Sequence, residues 1–387
     1  MKKFLWLYIF AGVVICALAL SHCGGTRYNN GSGYRASVPP NLIRVTDGQV
    51  IAFYSTSGAL KNSISLGGSW GGGQPFAQNN ITGLFYFGTN SVAANYVFYL
   101  SGLKASYQFS TLATSQMTLA SGHGTSTGVA VNSAGTTLYV ADAVNQVVTY
   151  LSAVSLSYAI GGSQINSVFA APVGLGAAFV NYLNGSIIVT ENVVGSAYFM
   201  NSVNGNAVAP AGGLGYLPLV DATTGCNAAN LVNEVQVNPL VNTAYVLCGA
   251  SVVYINMNLS TPNYLFGSLL GSTMATTGIA SPTDIAYDSV DNSVFVVGGT
   301  ILIALDGQSG SVTNSVDLST YGCGTLALSL GGVTYSSATK KVYVADTANA
   351  QVYTLNPSTF GLATGACPTS VFTTGAQVSH PTKIGFY

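Results

Sequence analysis

One short hydrophobic pattern returns seven times along this 387-residue chain, at intervals of about 50 residues. We refer to each copy as the signature of its unit. A period of this length in a β-rich sequence indicates one supersecondary unit repeated around an axis or along a stack. The seven copies are Ile43–Asp47, Tyr96–Leu100, Leu138–Asp142, Ile187–Glu191, Ala244–Cys248, Val294–Gly298 and Val342–Asp346.

Each signature is predicted to be the second of four antiparallel strands. Runs with a two-residue period precede the signatures, and turns rich in Gly, Asn and Asp separate the two, which is typical of β-hairpins. A third strand such as Gln351–Leu355 follows, and then a weaker fourth such as Ser311–Leu318. The predicted first strands are Gly83–Phe87, Gly128–Asn132, Gly174–Val180, Glu234–Asn238, Thr283–Asp288, Gly332–Ser336 and Thr382–Tyr387.

The two ends of the repeat complement each other. The first unit begins directly at Ile43–Asp47, and the last run, Thr382–Tyr387, is a first strand with no unit after it. Pairing of these two segments would close the repeat into a ring and protect two sheet edges. The sequence therefore predicts an all-β fold. We expect residues 43–387 to form a seven-bladed β-propeller of four-stranded antiparallel blades, closed by pairing of the C-terminal strand with the N-terminal blade.

Two segments carry a resemblance to a known repeat. YVADTANAQVYTL (Tyr343–Leu355) and YVADAVNQVVTYL (Tyr139–Leu151) resemble the NHL/YVTN-type propeller repeat, and Pro282–Ala286 and Pro381–Gly385 resemble its lead-in to the first strand. The resemblance implies the propeller fold. Members of that group include scaffolds, ligand binders and a few lyases and lactonases, so the resemblance leaves the activity open.

The N-terminal segment has the pattern of an export signal. Lys2 and Lys3 precede an apolar run, Phe4–Leu20, that is short for a membrane span, and Cys23 follows. The pattern resembles a bacterial lipoprotein signal, which implies residues 1–22 as signal peptide and lipidation of Cys23. Plain secretion and an uncleaved anchor are the alternatives. Residues 23–42 are predicted to be a flexible Gly/Asn/Ser/Pro tether that holds the domain at the cell envelope, periplasmic or on the cell surface.

Composition narrows the classes of partner. Charged residues make up 5% of the chain and the net charge is −1, so no basic surface for nucleic acid is expected. A surface rich in Tyr, Asn, Ser and Thr offers hydrogen bonds and stacking. We therefore expect a protein or glycan partner, with membrane contact through the lipid anchor only.

Four cysteines lie within the predicted propeller: Cys226, Cys248, Cys323 and Cys367. An even number in an exported chain favours two disulfides, although four cysteines permit three connectivities. We favour Cys226–Cys248 and Cys323–Cys367, and four separate buried thiols are the alternative.

Six polar residues are predicted to lie on one face of the propeller, where signatures end and first strands begin. They are Asp47, Asp142, Glu191, Asp346, His123 and His380. In one interpretation the carboxylates accept backbone N–H groups within their own turns. In the other they form a metal or ligand site at the channel mouth, with oxygen ligands suited to Ca²⁺ and added histidines suited to Zn²⁺.

The sequence leaves three hypotheses for the function. The main hypothesis is a non-enzymatic cell-envelope module, lipid-tethered, that binds a partner through this loop face and needs no cofactor. The second is a metal-dependent lyase or lactonase in which His123 or His380 works with Glu191. No HExxH or CxxC motif supports that chemistry. A self-associating structural surface protein is the third hypothesis.

Overall fold

The computed structural model describes part of the chain between residues 42 and 386. The described residues are 42–65, 76–79, 84–88, 96–101, 116–118, 126–132, 136–142, 147–152, 162–166, 175–181, 185–191, 195–201, 208, 216–219, 231–257, 274–275, 279, 281–288, 290–321, 327–360, 367, 371–375 and 377–386. The predicted signal peptide, Cys23 and the tether lie outside them. Within these ranges no helix is both long and apolar enough to cross a membrane.

The described residues form seven four-stranded antiparallel sheets, numbered here in chain order. Sheet 1 consists of β28 (Lys383–Phe386), β1 (Leu42–Thr46), β2 (Val50–Ser55) and β3 (Leu60–Ser65). Sheet 2 consists of β4 (Phe76–Asn79), β5 (Leu84–Phe87), β6 (Tyr96–Ser101) and β7 (Gln116–Thr118). Sheet 3 consists of β8 (Ser126–Val131), β9 (Thr137–Asp142), β10 (Val147–Ser152) and β11 (Gly162–Asn166). Sheet 4 consists of β12 (Leu175–Asn181), β13 (Ser186–Glu191), β14 (Ser196–Asn201) and β15 (Leu217–Pro218).

The remaining three sheets are formed by residues 231–373. Sheet 5 consists of β16 (Leu231–Asn238), β17 (Thr243–Cys248), β18 (Ser251–Asn256) and β19 (Met274–Ala275). Sheet 6 consists of β20 (Asp284–Asp288), β21 (Ser293–Gly298), β22 (Ile301–Asp306) and β23 (Val312–Asp317). Sheet 7 consists of β24 (Leu330–Ser336), β25 (Lys341–Asp346), β26 (Gln351–Leu355) and β27 (Val371–Thr373). The single helical element of the described chain is a 3-10 turn at Leu318–Tyr321, so the all-β prediction is confirmed.

The expected pairing between the last strand and the first signature is present. In sheet 1, β28 runs antiparallel to β1, with Val45 opposite Ile384 and Ile43 opposite Phe386. Thr382 N–H extends the ladder by donating to the Thr46 carbonyl at 2.9 Å. A strand more than 330 residues away in sequence therefore supplies the first strand of sheet 1.

The hydrophobic core lies between neighbouring sheets. First strands contact each other in succession, from β4 through β8, β12, β16, β20 and β24 to β28. Separate clusters of buried side chains fill the spaces between sheets 3 and 4, 4 and 5, 5 and 6, 6 and 7, and 7 and 1. Alternating residues of each second and third strand face opposite neighbours, which explains why these strands read as nearly continuous apolar runs.

The sequence prediction was wrong in sheet 2. Gly83–Phe87 was expected as a first strand and Tyr96–Leu100 as a signature, but β5 and β6 are the second and third strands. The first strand is β4, which contacts β8 of the next sheet. Its sequence, FAQN, is too short and too polar to give a two-residue apolar period. The predicted strand assignment is therefore displaced by one strand in this unit.

Left-handed residues recur at one position of the repeat. The last residue before the second strand has a positive φ in sheets 4, 5, 6 and 7: Gly185 (69°), Asn242 (50°), Asn292 (51°) and Lys340 (53°). Asn and Gly tolerate this conformation, whereas Lys does so at a cost. The shared turn geometry sets the register of the first hairpin in each of these sheets.

Candidate functional site

Asp346 ends the second strand of sheet 7, and its carboxylate is completely buried. Its Oδ1 accepts the N–H groups of Ala348 at 3.1 Å and Ser329 at 3.2 Å. Its Oδ2 accepts the Asn349 side-chain amide at 2.7 Å and the Tyr353 hydroxyl at 3.0 Å. These bonds hold the turn and the two adjoining strands together, as the turn interpretation of the sequence predicts.

The other three carboxylates of this position are also set into their own sheets. Asp47 is half-buried and accepts the N–H groups of Gln49 and Val50, both at 2.9 Å. Glu191 is buried and accepts Gly195 N–H at 3.1 Å, and Asp142 is fully buried at the end of its strand. Asp142, Glu191 and Asp346 are therefore buried at the ends of their strands, and Asp47 is half-buried.

The described members of the predicted site do not come together as a metal-binding group. Among the described residues, no three His, Cys, Asp or Glu side chains lie close enough together to hold one ion. His380 is exposed, and its Nδ1 lies 2.9 Å from the Ser379 hydroxyl. His123, the other histidine of the predicted site, lies outside the described residues.

Two of the four cysteines singled out in the sequence have a defined state. Cys248, which is fully buried at the end of β17, and Cys367 are both disulfide-bonded. Cys226 and Cys323 lie outside the described residues, so the pairing Cys226–Cys248 and Cys323–Cys367 stays a prediction.

Sequence reasoning missed a group of four charged side chains, which we call the ionic cluster. Lys383 of β28 forms ion pairs with Glu234 of β16 and, at 3.1 Å, with Asp284 of β20. The Arg44 guanidinium is near enough to Glu234 to lower the pKa of its carboxyl group. The cluster therefore joins the first strands of sheets 1, 5 and 6, and Lys383 reaches past β24, the first strand of sheet 7.

One register position of the repeat supplies three members of the ionic cluster. Glu234, Asp284 and Lys383 each precede the residue that pairs with the central valine of their signature. In sheet 7 the same position holds Gly332, where a Cβ would lie 3.1 Å from the Lys383 Cα. The missing side chain leaves room for Lys383 to cross. Gly385 plays the same part for Arg44, since a Cβ there would lie 2.6 Å from a guanidinium nitrogen.

The ionic cluster has a balanced charge of two cations and two anions. The Asp284 side chain is 6% exposed, and its Oδ2 accepts Val333 N–H at 2.8 Å. Burial raises the pKa of Glu234; the Lys383 ammonium opposes that rise and the Asp284 carboxylate adds to it. Burial lowers the pKa of Lys383, but Asp284 and Glu234 outweigh it, and the net pKa lies above the ordinary value. Lys383 is therefore charged at physiological pH.

Exposed aliphatic side chains lie at the opposite end of the sheets from the buried carboxylates. Leu240 and Val241 are 49% and 51% exposed in the turn between β16 and β17, and Val290 is 56% exposed in the equivalent turn of sheet 6. We call these three residues the aliphatic patch. Turns of this kind normally present polar residues.

Hydrogen bonds of Asn238 connect the two turns that carry the aliphatic patch. The Asn238 side-chain amide donates to Asn292 Oδ1 at 2.9 Å, which ties the two turns together. Asn238 Oδ1 in turn accepts Leu240 N–H and the Tyr287 hydroxyl, both at 3.0 Å. These hydrogen bonds connect the turns of sheets 5 and 6.

Comparisons with known proteins give a fold likeness only. No family model matches the chain, and no curated protein sequence matches it. Among solved structures it is similar to a functionally unknown protein from Desulfotomaculum acetoxidans DSM 771, with a TM-score of 0.59 and 12% identity over 90% of this chain and 98% of that one. It is also similar to a chain of a nidogen/laminin complex, with a TM-score of 0.44 and 12% identity over 78% of this chain and 97% of that one. The first similarity indicates a shared fold, and neither gives this chain a function.

Proposed function

We propose that the chain is a closed seven-bladed propeller that serves as a non-enzymatic interaction module of the cell envelope, tethered through a lipid on Cys23. It binds a protein partner through the turn face that carries the aliphatic patch. The observation that carries this proposal is the exposure of Leu240, Val241 and Val290 on two turns that Asn238 and Asn292 lock together.

Ring closure is supported by the way the sheets succeed each other. The contacts run from sheet 2 through sheets 3, 4, 5, 6 and 7 to sheet 1, and β28 completes sheet 1 beside β1. The reach of Lys383 to sheets 5 and 6 further indicates that these first strands converge on one axis. Seven sheets of this kind around an axis are a propeller.

The chemistry of the patch favours a protein over a glycan. Sugar rings stack on aromatic faces, whereas the patch offers aliphatic side chains of Leu and Val, which contribute to binding by removing apolar surface from water. The low charge of the chain also fits the apolar centre of a protein interface, where charged residues are depleted. The proposed binding face is thus opposite to the one that the sequence predicted.

The alternative of a lyase or lactonase receives less support from the described residues. Asp346, Glu191 and Asp47 each accept turn N–H groups, which is a structural use of a carboxylate. Glu191 is buried at its strand end, while His380 is exposed. A general acid–base pair needs its members within hydrogen-bond reach of one substrate.

Site-specific photo-crosslinking tests the binding face. A photoreactive residue replaces Val241 in the full chain, expressed in its native envelope, and Lys340 on the equivalent turn of sheet 7 serves as the control position. We expect one discrete adduct from position 241, and we expect Leu240→Asp together with Val290→Asp to abolish it. Equal adducts from both positions, or an adduct that survives both substitutions, would refute the proposal. An adduct of twice the chain's mass would assign the patch to a second copy.

The anchor is tested separately by metabolic labelling with an alkyne fatty acid. We expect label on the wild-type chain and none on Cys23→Ser, which should also leave the membrane fraction. Label that persists in Cys23→Ser, or membrane retention of that variant, would contradict the lipid tether without affecting the proposed binding face.

A further inference from the structure

The ionic cluster is not explained by stability. Removing charged groups from water is expensive, and apolar replacements of buried ion pairs are often neutral or stabilising. A better-attested role of buried charge is to select one register or pairing among several. Only 21 charged side chains occur in the chain, 10 basic plus 11 acidic, yet four of them meet here.

The strand β28 needs such a device because its apolar pattern does not define its register. Ile384 and Phe386 both face the β1 side chains, opposite Val45 and Ile43. A shift of one residue would turn Lys383 into this apolar layer and is excluded. A shift of two residues would place Phe386 opposite Val45 and keep an apolar side chain there. The strand forms four paired positions with β1 and also packs against β24, and alternation of apolar residues is satisfied in both registers.

Lys383 does discriminate them. In the observed register its Nζ meets Glu234 and Asp284, and a two-residue shift would place Gly385 at that position. The shift would leave two neighbouring carboxylates without their ammonium partner, and buried like charges repel each other. The penalty falls on sheets 5 and 6, although the mispairing would occur in sheet 1.

We propose that Lys383 is a closure latch, which fixes strand 383–386 in sheet 1 and in this register by reaching over Gly332 to the carboxylates of sheets 5 and 6. Pairing of β28 with β1 is thereby coupled to sheets 5 and 6, which contact the closing strand through Lys383. The latch is independent of the protein partner proposed above, and it requires only the observed pairing of β28 with β1.

Engineered disulfides in the full chain report the register. Val45→Cys with Ile384→Cys reports the observed register, and Val45→Cys with Phe386→Cys reports the two-residue shift, because directly opposed residues have Cβ atoms about 5 Å apart. After mild oxidation, non-reducing peptide mapping by mass spectrometry gives the ratio of the two intrachain links. Each reporter is compared with and without Lys383→Met, which keeps the length of the side chain and removes its charge. Lys61→Met, on the outermost strand of the same sheet, is the matched control.

We expect the observed-register link to exceed the shifted link by at least about tenfold with Lys383, which corresponds to about 1.4 kcal/mol. In Lys383→Met the ratio should fall by at least about fivefold, whereas Lys61→Met should leave it unchanged. Loss of both links in a variant that still unfolds cooperatively would also support the latch, because the strand is then released. A ratio that stays within about twofold in Lys383→Met would overturn the proposal. If Lys383→Met does not fold, Glu234→Gln is judged by the same ratio.

Discussion

Replacing Asp346 with alanine removes the acceptor around which the signature turn of sheet 7 is built. Four different residues donate to this carboxylate: Ser329, Ala348, Asn349 and Tyr353. The Tyr353 side chain is fully buried, so water cannot replace the lost acceptor. An orphaned buried donor costs about 1–3 kcal/mol, and loss of a turn cap costs about 0.5–2 kcal/mol. We expect Asp346→Ala to lower the free energy of unfolding by about 3 kcal/mol.

Asp47 provides the matched control, since it occupies the same repeat position in sheet 1. It is half-buried and accepts only two turn N–H groups, both of which water can reach after substitution. Asp47→Ala should therefore cost about 1 kcal/mol. Both values are measured by urea denaturation of the full chain, with and without EDTA.

The two interpretations of the carboxylates make opposite predictions about EDTA. If the carboxylates are structural, EDTA leaves the wild-type protein unchanged and Asp346→Ala is destabilised equally in both conditions. If Asp346 is a metal ligand, EDTA lowers the stability of the wild-type protein and has no further effect on the variant. Equal losses for Asp346→Ala and Asp47→Ala would refute the reasoning from buried donors.

Three further predictions concern substitutions at single positions. Burial raises the pKa of Asp288, so the folded state binds the proton more tightly than the unfolded state. Asp288→Asn should therefore be more stable than wild type at pH 7, and the difference in free energy of unfolding should vanish as pH falls below about 4. A difference that persists below this pH would contradict the raised pKa. Gly298 occupies the repeat position at which other sheets carry an acidic residue, but a Cβ there would lie 2.5 Å from the Ser281 carbonyl oxygen. Gly298→Ala should therefore lower the free energy of unfolding, measured by urea denaturation, by at least about 2 kcal/mol. A neutral effect would contradict the close packing. Lys340→Gly removes the strain of a non-glycine residue at a φ of 53° and should raise the free energy of unfolding by about 0.5 kcal/mol. Lys341→Gly, in the adjoining strand, should lower it by a similar amount. Changes in free energy of the same sign for both variants would refute the argument.

Much of the fold could be predicted because local patterns repeat. The alternation of strand residues and the polar turns located the second and third strands of most sheets, and the unfinished units at the two ends predicted that β28 pairs with β1. The repeat position of Asp47 and Asp346 likewise predicted their use in turns. These features depend on residues that are close in sequence, or on the pairing of β28 with β1. The repeat pattern of the sequence can show both.

The ionic cluster could not be predicted in the same way, because its members meet only through the curvature of successive sheets. Glu234 and Lys383 are far apart in sequence and belong to sheets that are not neighbours. A usable signal was nevertheless present: three first strands carry a charge at one repeat position in a chain that is only 5% charged. Gly332 at that position of sheet 7 marks the gap through which Lys383 passes.

The aliphatic patch was also missed, for a different reason. Turns were identified by their polar residues, so the apolar Leu240, Val241 and Val290 within them were passed over. Their exposure depends on how far the turn extends beyond the sheet, which residue type alone does not define. An apolar residue in a predicted turn is thus a better pointer to a contact surface than another polar residue.

Closure of the repeat into a ring is the central structural claim made here. A crystal structure of the full chain would test it most directly. The account predicts seven four-stranded sheets around one axis, with sheet 1 between sheets 7 and 2 and with Ile384 opposite Val45. An open stack of sheets, or residues 383–386 paired anywhere other than beside β1, would contradict it.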